Sequence, residues 1–147
     1  MGNLSKLPER LKELMFDKGI SAGELASAVY TKNNTITRYL QGVSSPAYDI
    51  FIRLVEYFNC SADFLLGTGE LPLYEKKFLS IPPFSVRLRQ VIEECKTTQY
   101  ALKKQTGLSW NNFHKWLNGK SLPSPDSLLT LATALEVSVD YLLGRIS

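Results

Sequence analysis

Histidine is almost absent from this chain, and several other features are missing altogether. His114 is the only histidine, and no nucleophile with an orienting acid stands near it, so nucleophilic or acid–base catalysis has no starting set. No metal-ligand cluster and no glycine-rich phosphate loop appears, so neither an enzyme nor a cofactor is expected. No run approaches the roughly 18 apolar residues of a membrane span, and the N-terminus has no signal-peptide core. A cytoplasmic protein is expected. Excess charge is scarce too, with 17 basic against 14 acidic side chains and a net charge of +3, by itself a weak argument for a polyanionic partner. The rest of the composition, 44% hydrophobic and 21% charged, is that of a soluble globular protein.

What is present is a repeat. Arg10-Leu11 returns 77 residues later as Arg87-Leu88, Leu40-Gln41-Gly42 as Leu117-Asn118-Gly119, and Asp63-Phe64-Leu65-Leu66-Gly67 as Asp140-Tyr141-Leu142-Leu143-Gly144, without a gap. Such a repeat sets domain boundaries: residues 1–67 and 84–147 as two small domains, with 68–83 as a linker. Pro72, Pro82 and Pro83 lie in that linker, whose Leu73, Tyr74, Phe78 and Leu79 should pack on the domains; it has room for a short helix. As a flexible coil it would span roughly 20–25 Å. The two cysteines, Cys60 and Cys95, align with Val137 and Lys18, which marks them as packing residues rather than a disulfide or metal pair. Charge differs between the copies. The first has seven basic and seven acidic residues, and the second has eight and five.

Each copy reads as five short helices. Leu7, Leu11, Leu14 and Met15 share one helical face, as do Phe84, Leu88, Val91 and Ile92. Pro8 suits the first turn of that helix and Gly19 its stop. Ser21 and Glu24 form a capping box for a helix over about 22–29, while Thr98 retains only the cap. A tight turn follows at Tyr30-Thr31 or Gly107-Leu108. A third helix runs from about Asn33 to Leu40, or Trp110 to Leu117, with Ile36 and Leu40, or Phe113 and Leu117, directed inward. Phe51, Leu54, Val55 and Phe58 mark a fourth helix, matched by Leu128, Leu131, Ala132 and Leu135, and Ser124-Pro125-Asp126 starts the second version. Ser61 and Ser138 cap a closing helix. Asp63 and Asp140 sit in its first turn, where the helix dipole accounts for them. With no alternating strand pattern, the fold class is all-α.

Two short helices joined by a tight turn, the second bearing polar side chains outward, describe a helix-turn-helix. The outward set is Asn33, Asn34, Thr35, Thr37 and Arg38 in the first copy, and Trp110, Asn111, Asn112, His114 and Lys115 in the second. Asparagine can pair with adenine in a major groove, arginine with guanine, and threonine or an aromatic ring can meet a thymine methyl. Asn34 coincides with Asn111, and Arg38 with Lys115. Tyr39 and Trp116 could stack on bases, but beside a buried leucine they are expected to cover the core. Trp110 aligns with Asn33 and should point outward, to a DNA contact or a protein interface. Lys103 and Lys104 suit either a solvated face or the phosphate backbone.

The segment Gly107-Leu108-Ser109-Trp110-Asn111-Asn112-Phe113-His114-Lys115-Trp116-Leu117-Asn118-Gly119 resembles the turn and recognition helix of Cro/cI-type (XRE-type, lambda-repressor-like) phage-repressor domains. Pro123, Leu131-Ala132-Thr133-Ala134-Leu135 and Val139-Asp140-Tyr141-Leu142-Leu143-Gly144 are similar to that family's closing helices. The resemblance covers Leu7–Gly67 and Phe84–Gly144. It implies two tandem five-helix helix-turn-helix domains joined by a proline-containing linker, binding double-stranded DNA in a bacterial nucleoid or phage-infected host. It further implies a phosphate contact from Gln99, a recognition-helix cap at Ser109, and groove contacts from Trp110, Asn111, Asn112 and His114. The first copy departs from this pattern, with Ala22 for the glutamine, Tyr30 for the turn glycine and Lys32 for the capping serine. Tyrosine makes a left-handed turn costly, so a reshaped turn is expected there; Lys32 and Arg38 remain candidate phosphate contacts.

Two functional readings follow. In one, both recognition helices enter major grooves and the chain acts as a covalent pseudo-dimer, a transcriptional regulator and by expectation a repressor, on an asymmetric site. In the other, the first domain is a dimerisation or protein-interaction module, pairing with a second copy or another regulator, and only the second domain binds DNA.

Overall fold

The fold is that of a computed structural model in which residues 6–147 are described; the first five residues of the expected first domain lie outside the described residues. Among the described residues there are ten helices and no strand. None of the helices is long and apolar enough to cross a membrane. The chain divides into two compact units that meet between Lys76 and Lys77.

The first unit holds α1 (Leu7–Lys18), α2 (Ala22–Ala28), α3 (Asn33–Leu40), α4 (Tyr48–Phe58) and α5 (Ala62–Leu66). The second holds α6 (Phe84–Glu94), α7 (Gln99–Thr106), α8 (Trp110–Leu117), α9 (Pro125–Leu135) and α10 (Val139–Leu143). Helices three, four and five of the two units are offset by 77 residues at both ends. Local chemistry accounts for many of these limits. Ser21 accepts the Glu24 amide at 3.1 Å while the Glu24 carboxylate accepts the Ser21 amide at 2.8 Å, completing the capping box. Thr98, Ser109, Ser124, Ser61 and Ser138 likewise accept an amide from the first turn of their helices.

The core of each unit is the set of apolar faces expected from periodicity. Leu7, Leu11, Leu14 and Met15 are buried with Phe51, Leu54, Val55 and Phe58 in the first, and Phe84, Leu88, Val91 and Ile92 with Leu128, Leu131, Ala132 and Leu135 in the second. One inward residue differs from expectation. In α3 it is Tyr39 that joins Ile36 in the core, and Leu40 is half-buried. Burial also pushes the Tyr39 hydroxyl pKa up. Trp116 is buried in the same way, so both aromatics serve the core.

A matched arginine closes each unit. The Arg10 guanidinium donates to the Phe64 and Gly69 carbonyls at 2.8 and 2.7 Å and lies 4.3 Å from the Phe64 ring centre. Its counterpart Arg87 donates to the Tyr141 carbonyl at 2.7 and 3.1 Å and lies 4.7 Å from the Tyr141 ring. First helix and last are thus pinned together in both copies. A second match involves the closing acids, which do more than complement the helix dipole. Asp140 is buried against Arg145 at 2.8 Å, with the guanidinium 4.0 Å from the Phe78 ring centre, whereas Asp63 accepts the Thr68 hydroxyl at 3.1 Å. Thr68 and Arg145 are 77 residues apart.

The segment 68–83 contains no helix. Its first part is bound to the first unit: the Pro72 carbonyl accepts the Ser61 amide at 2.7 Å, the Tyr74 hydroxyl donates to Asp17 at 2.7 Å, and the Asn59 amide donates to the Tyr74 carbonyl at 2.9 Å. Its last part belongs to the second unit, where the Leu79 amide donates to the Arg145 carbonyl at 2.8 Å. It is not a free coil along its length. Replacing Asp140 by Asn leaves a buried guanidinium without its carboxylate, and unfolding of the second unit, followed by urea denaturation, should become easier by about 3–5 kcal/mol.

Candidate nucleic-acid interface

A helix-turn-helix needs a connection that redirects the chain within three or four residues, and a left-handed residue does this. Tyr30 adopts that conformation at φ +60°, as Gly107 does at φ +71°. Tyr30 therefore does not reshape the turn, contrary to expectation. The strain of a left-handed tyrosine costs about 1–2 kcal/mol and is offset locally. The Thr31 amide reaches back to the Ala26 carbonyl at 2.8 Å, and Arg53 donates to the Val29 carbonyl at 3.4 Å with its guanidinium 5.8 Å from the Tyr30 ring.

The glycine copy is the one that departs. Here α7 runs one residue further than α2, to Thr106, and the Leu108 amide is taken by the Thr106 hydroxyl at 3.3 Å. Packing follows the same division. Helix α2 lies chiefly against α3, while α7 lies chiefly against α9. The buried face of α2 explains this: Leu25, Ala26 and Val29 are all in the core, but at the same positions α7 has Leu102, Lys103 and Thr106, and only Leu102 is buried. A lysine and a threonine cannot close onto the recognition helix as an alanine and a valine do. Lys103 is half-buried and Lys104 exposed.

On the recognition helices, Asn33, Asn34 and Arg38 are exposed, and Thr35 and Thr37 are half-buried. The Thr37 hydroxyl is turned back onto the Asn33 carbonyl at 3.1 Å. Lys32 stands exposed at the start of α3 and makes no cap. In the second unit Asn111, Asn112 and Lys115 are exposed and His114 is half-buried. Ser109 caps α8 through the Asn112 amide at 3.3 Å. Trp110 remains 42% exposed, but its ring is not free: it stacks near Phe113 at 6.0 Å and meets His114 edge-on at 4.4 Å. Gln99 opens α7, half-buried. The structure thus places the expected residues at the solvent-facing side and N-terminal end of α3 and α8, with Gln99 apart on α7.

Three strongly exposed aromatics were not expected: Phe16 at 86%, on α1, Tyr30 at 82%, just after α2, and Tyr100 at 67%, in the first turn of α7. Across the repeat they align with Glu93, Gly107 and Gly23, which signals that none belongs to the shared core. Several cations counted toward a polyanion surface are hydrogen-bonded within the second unit, although only Arg145 is buried, Arg87 being half-buried and Arg89 exposed. Arg87 and Arg145 hold the second unit as described, and Arg89 donates to the Leu117 carbonyl at 3.0 Å, closing the end of α8. Lys103, Lys104, Lys115 and Lys120, like Lys32 and Arg38, have no acidic partner among the described residues.

Comparison with known proteins agrees with this geometry. Residues 87–147 match the Cro/C1-type helix-turn-helix DNA-binding domain, and residues 11–65 match a helix-turn-helix family. The chain is similar to the cryptic phage CTXphi transcriptional repressor RstR of Vibrio cholerae serotype O1, at 34% identity over 59 residues, which is 40% of this chain. The match covers 53% of that relative, so the chain spans about half its length. No solved structure matches the chain. Because α7 has a single buried residue, its backbone amides should exchange with solvent roughly tenfold or more faster than those of α2. Hydrogen exchange measured residue by residue checks this, and equal rates in the two helices would contradict it.

Proposed function

With two helix-turn-helix domains in tandem, the second of the Cro/C1 DNA-binding type, the chain belongs to the helix-turn-helix DNA-binding regulators, and we propose that it represses transcription by placing both α3 and α8 in major grooves of one operator. The observation that carries this reading is the matched pair Asn34 and Asn111. Both are exposed at the second position of recognition helices with equal bounds, each followed four residues on by an exposed cation, Arg38 or Lys115. An exposed amide contributes nothing to a core. It can pair with N6 and N7 of adenine, while the cation meets guanine or a phosphate. The preserved left-handed turn and the close α2–α3 packing support a reading role for the first domain. The phage protein that this chain resembles is a transcriptional repressor, which supports repression as the role.

One chain with two readers acts as a covalent pseudo-dimer, in which a first engaged domain raises the effective concentration of the second. The reading surfaces differ, Asn33-Asn34-Thr35 against Trp110-Asn111-Asn112, so the preferred site is asymmetric. Gln99 is assigned to a phosphate, and Lys32 at the uncapped start of α3 to another, where the helix N-terminus also favours an anion.

Selection from a random DNA pool should return one asymmetric site. On it, Asn34→Ala and Asn111→Ala should each weaken binding by about 5- to 150-fold, the worth of one bidentate base contact. The logarithm of affinity should fall steeply and linearly with the logarithm of salt concentration. Loss confined to Asn111→Ala would instead make the first domain a protein-interaction module, and no preference for any site over random duplex would end the repressor reading.

A further inference from the structure

Between α7 and α9 the second unit carries a cleft of about 440 Å³, lined by Cys95, Leu102, Gln105, Ala134, Leu135 and Glu136 among others. The repeat shows how it arises. In the first unit the Lys18 ammonium stands 4.8 Å from the centre of the Tyr57 ring, and that ring meets Phe58 edge-on at 5.2 Å. The residues 77 positions on are Cys95, Ala134 and Leu135. The second unit has no phenol ring or ammonium at these positions and a leucine for the neighbouring ring, and all three residues line the cleft. The first unit has a smaller opening of about 180 Å³ beside Lys18 and Phe58.

We propose that this cleft binds a small aromatic amine, its ring seated where Tyr57 lies in the first unit and its ammonium facing Glu136. Size permits it. An apolar void on the order of 150 Å³ is enough to take one benzene ring, and ligand pockets commonly begin near 300 Å³. The floor is apolar, with Leu102 and Leu135 buried. Charge selects the amine. In the first unit Asn59 occupies the position of Glu136 and its amide donates to the Tyr74 carbonyl at 2.9 Å. A carboxylate there can only accept, so it repels a carbonyl and attracts a cation. Glu136 is exposed, held at the end of α9 with φ +58°, and has no ion-pair partner among the described residues. Gln105, whose amide lies 3.5 Å from the Ala134 carbonyl, supplies a polar wall for a ring hydroxyl. Such a ligand would contact both α7 and α9, adding to the single buried residue that now holds α7.

The test uses the full chain and three probes: tyramine, which joins ring and ammonium; phenol, the ring alone; and butylamine, the cation alone. Tyramine should give saturable chemical-shift changes at the amides of Leu102, Ala134 and Val137. It should also slow alkylation of Cys95, which lines the cleft, whereas Cys60 is fully buried and stays unreactive. Phenol should bind about fivefold more weakly, the worth of a partly exposed ion pair, and butylamine should leave those signals unmoved. Glu136→Gln should bring tyramine down to the level of phenol. The double change Ala134→Tyr with Cys95→Lys, which restores the first unit's filling, should abolish the shifts. No saturable shift with either tyramine or phenol on the unsubstituted chain would overturn the proposal whether or not the double variant folds. Butylamine acting as well as tyramine, or Glu136→Gln leaving tyramine unchanged, would overturn the assigned ring seat or ammonium site.

Discussion

The structure depends on one repeated constraint, the arginine that pins the first helix of each unit to its last. A domain of about 60 residues buries a modest share of its surface and is only marginally stable through its apolar core. Five short helices also leave many carbonyls at their ends without partners. Arg10 and Arg87 answer both needs: Arg10 takes up two carbonyls of the closing segment and Arg87 one, and each guanidinium lies on an aromatic ring of the last helix. With first and last helices joined, α3 and α8 are held by α1 and α6 from within and present their polar side outward. The outward polar faces of α3 and α8 thus stand on units closed in the same way.

Upon that shared frame, the two copies hold the second helix of the motif differently. In the first, alanine and valine let α2 close on α3. In the second, Lys103 and Thr106 keep α7 from doing so, and α7 rests on α9. The copy whose turn carries the family glycine is thus the less tightly assembled, and the copy with a strained tyrosine is the tighter. Turn chemistry and packing are separate variables, and here packing decides how rigidly the motif presents its reading helix. A loosely held α7 puts Gln99 and the two lysines on an element that contact with DNA, or with a ligand between α7 and α9, could order.

Which residues face outward was largely legible in the sequence because helix faces obey a fixed period. Asn34, Arg38, Asn111 and Lys115 lie outward for the same reason that Ile36 and Phe113 lie inward. Serine and threonine caps were legible because they act within four residues. The misses all involve partners distant in sequence or choices within one helix turn. Tyr39 rather than Leu40 entered the core, since adjacent residues on a helix straddle the boundary and neighbouring helices decide between them. The Thr37 hydroxyl turned back on Asn33. Asp140 found Arg145 within its own closing turn, while Phe78, from the preceding segment, covers that guanidinium. Trp110 met His114, which tempers its outward role.

By itself the sequence determined that this is two of one thing: ten helices, six of them with serine or threonine caps, the inward faces of the longer ones, and a pair of matched asparagines on the outward face of the third. Those follow from local propensity, periodicity and repetition, which need no knowledge of what lies across the core. Only the tertiary structure decided which arginines are spent on carbonyls of their own unit, which turn is tight, that α7 rests on α9, and that a cleft is lined by the residues matching the first copy's ring and cation. These outcomes depend on side-chain volume and charge meeting across the fold, where exchanging alanine for lysine or tyrosine for alanine leaves the helix pattern intact but changes what it packs against.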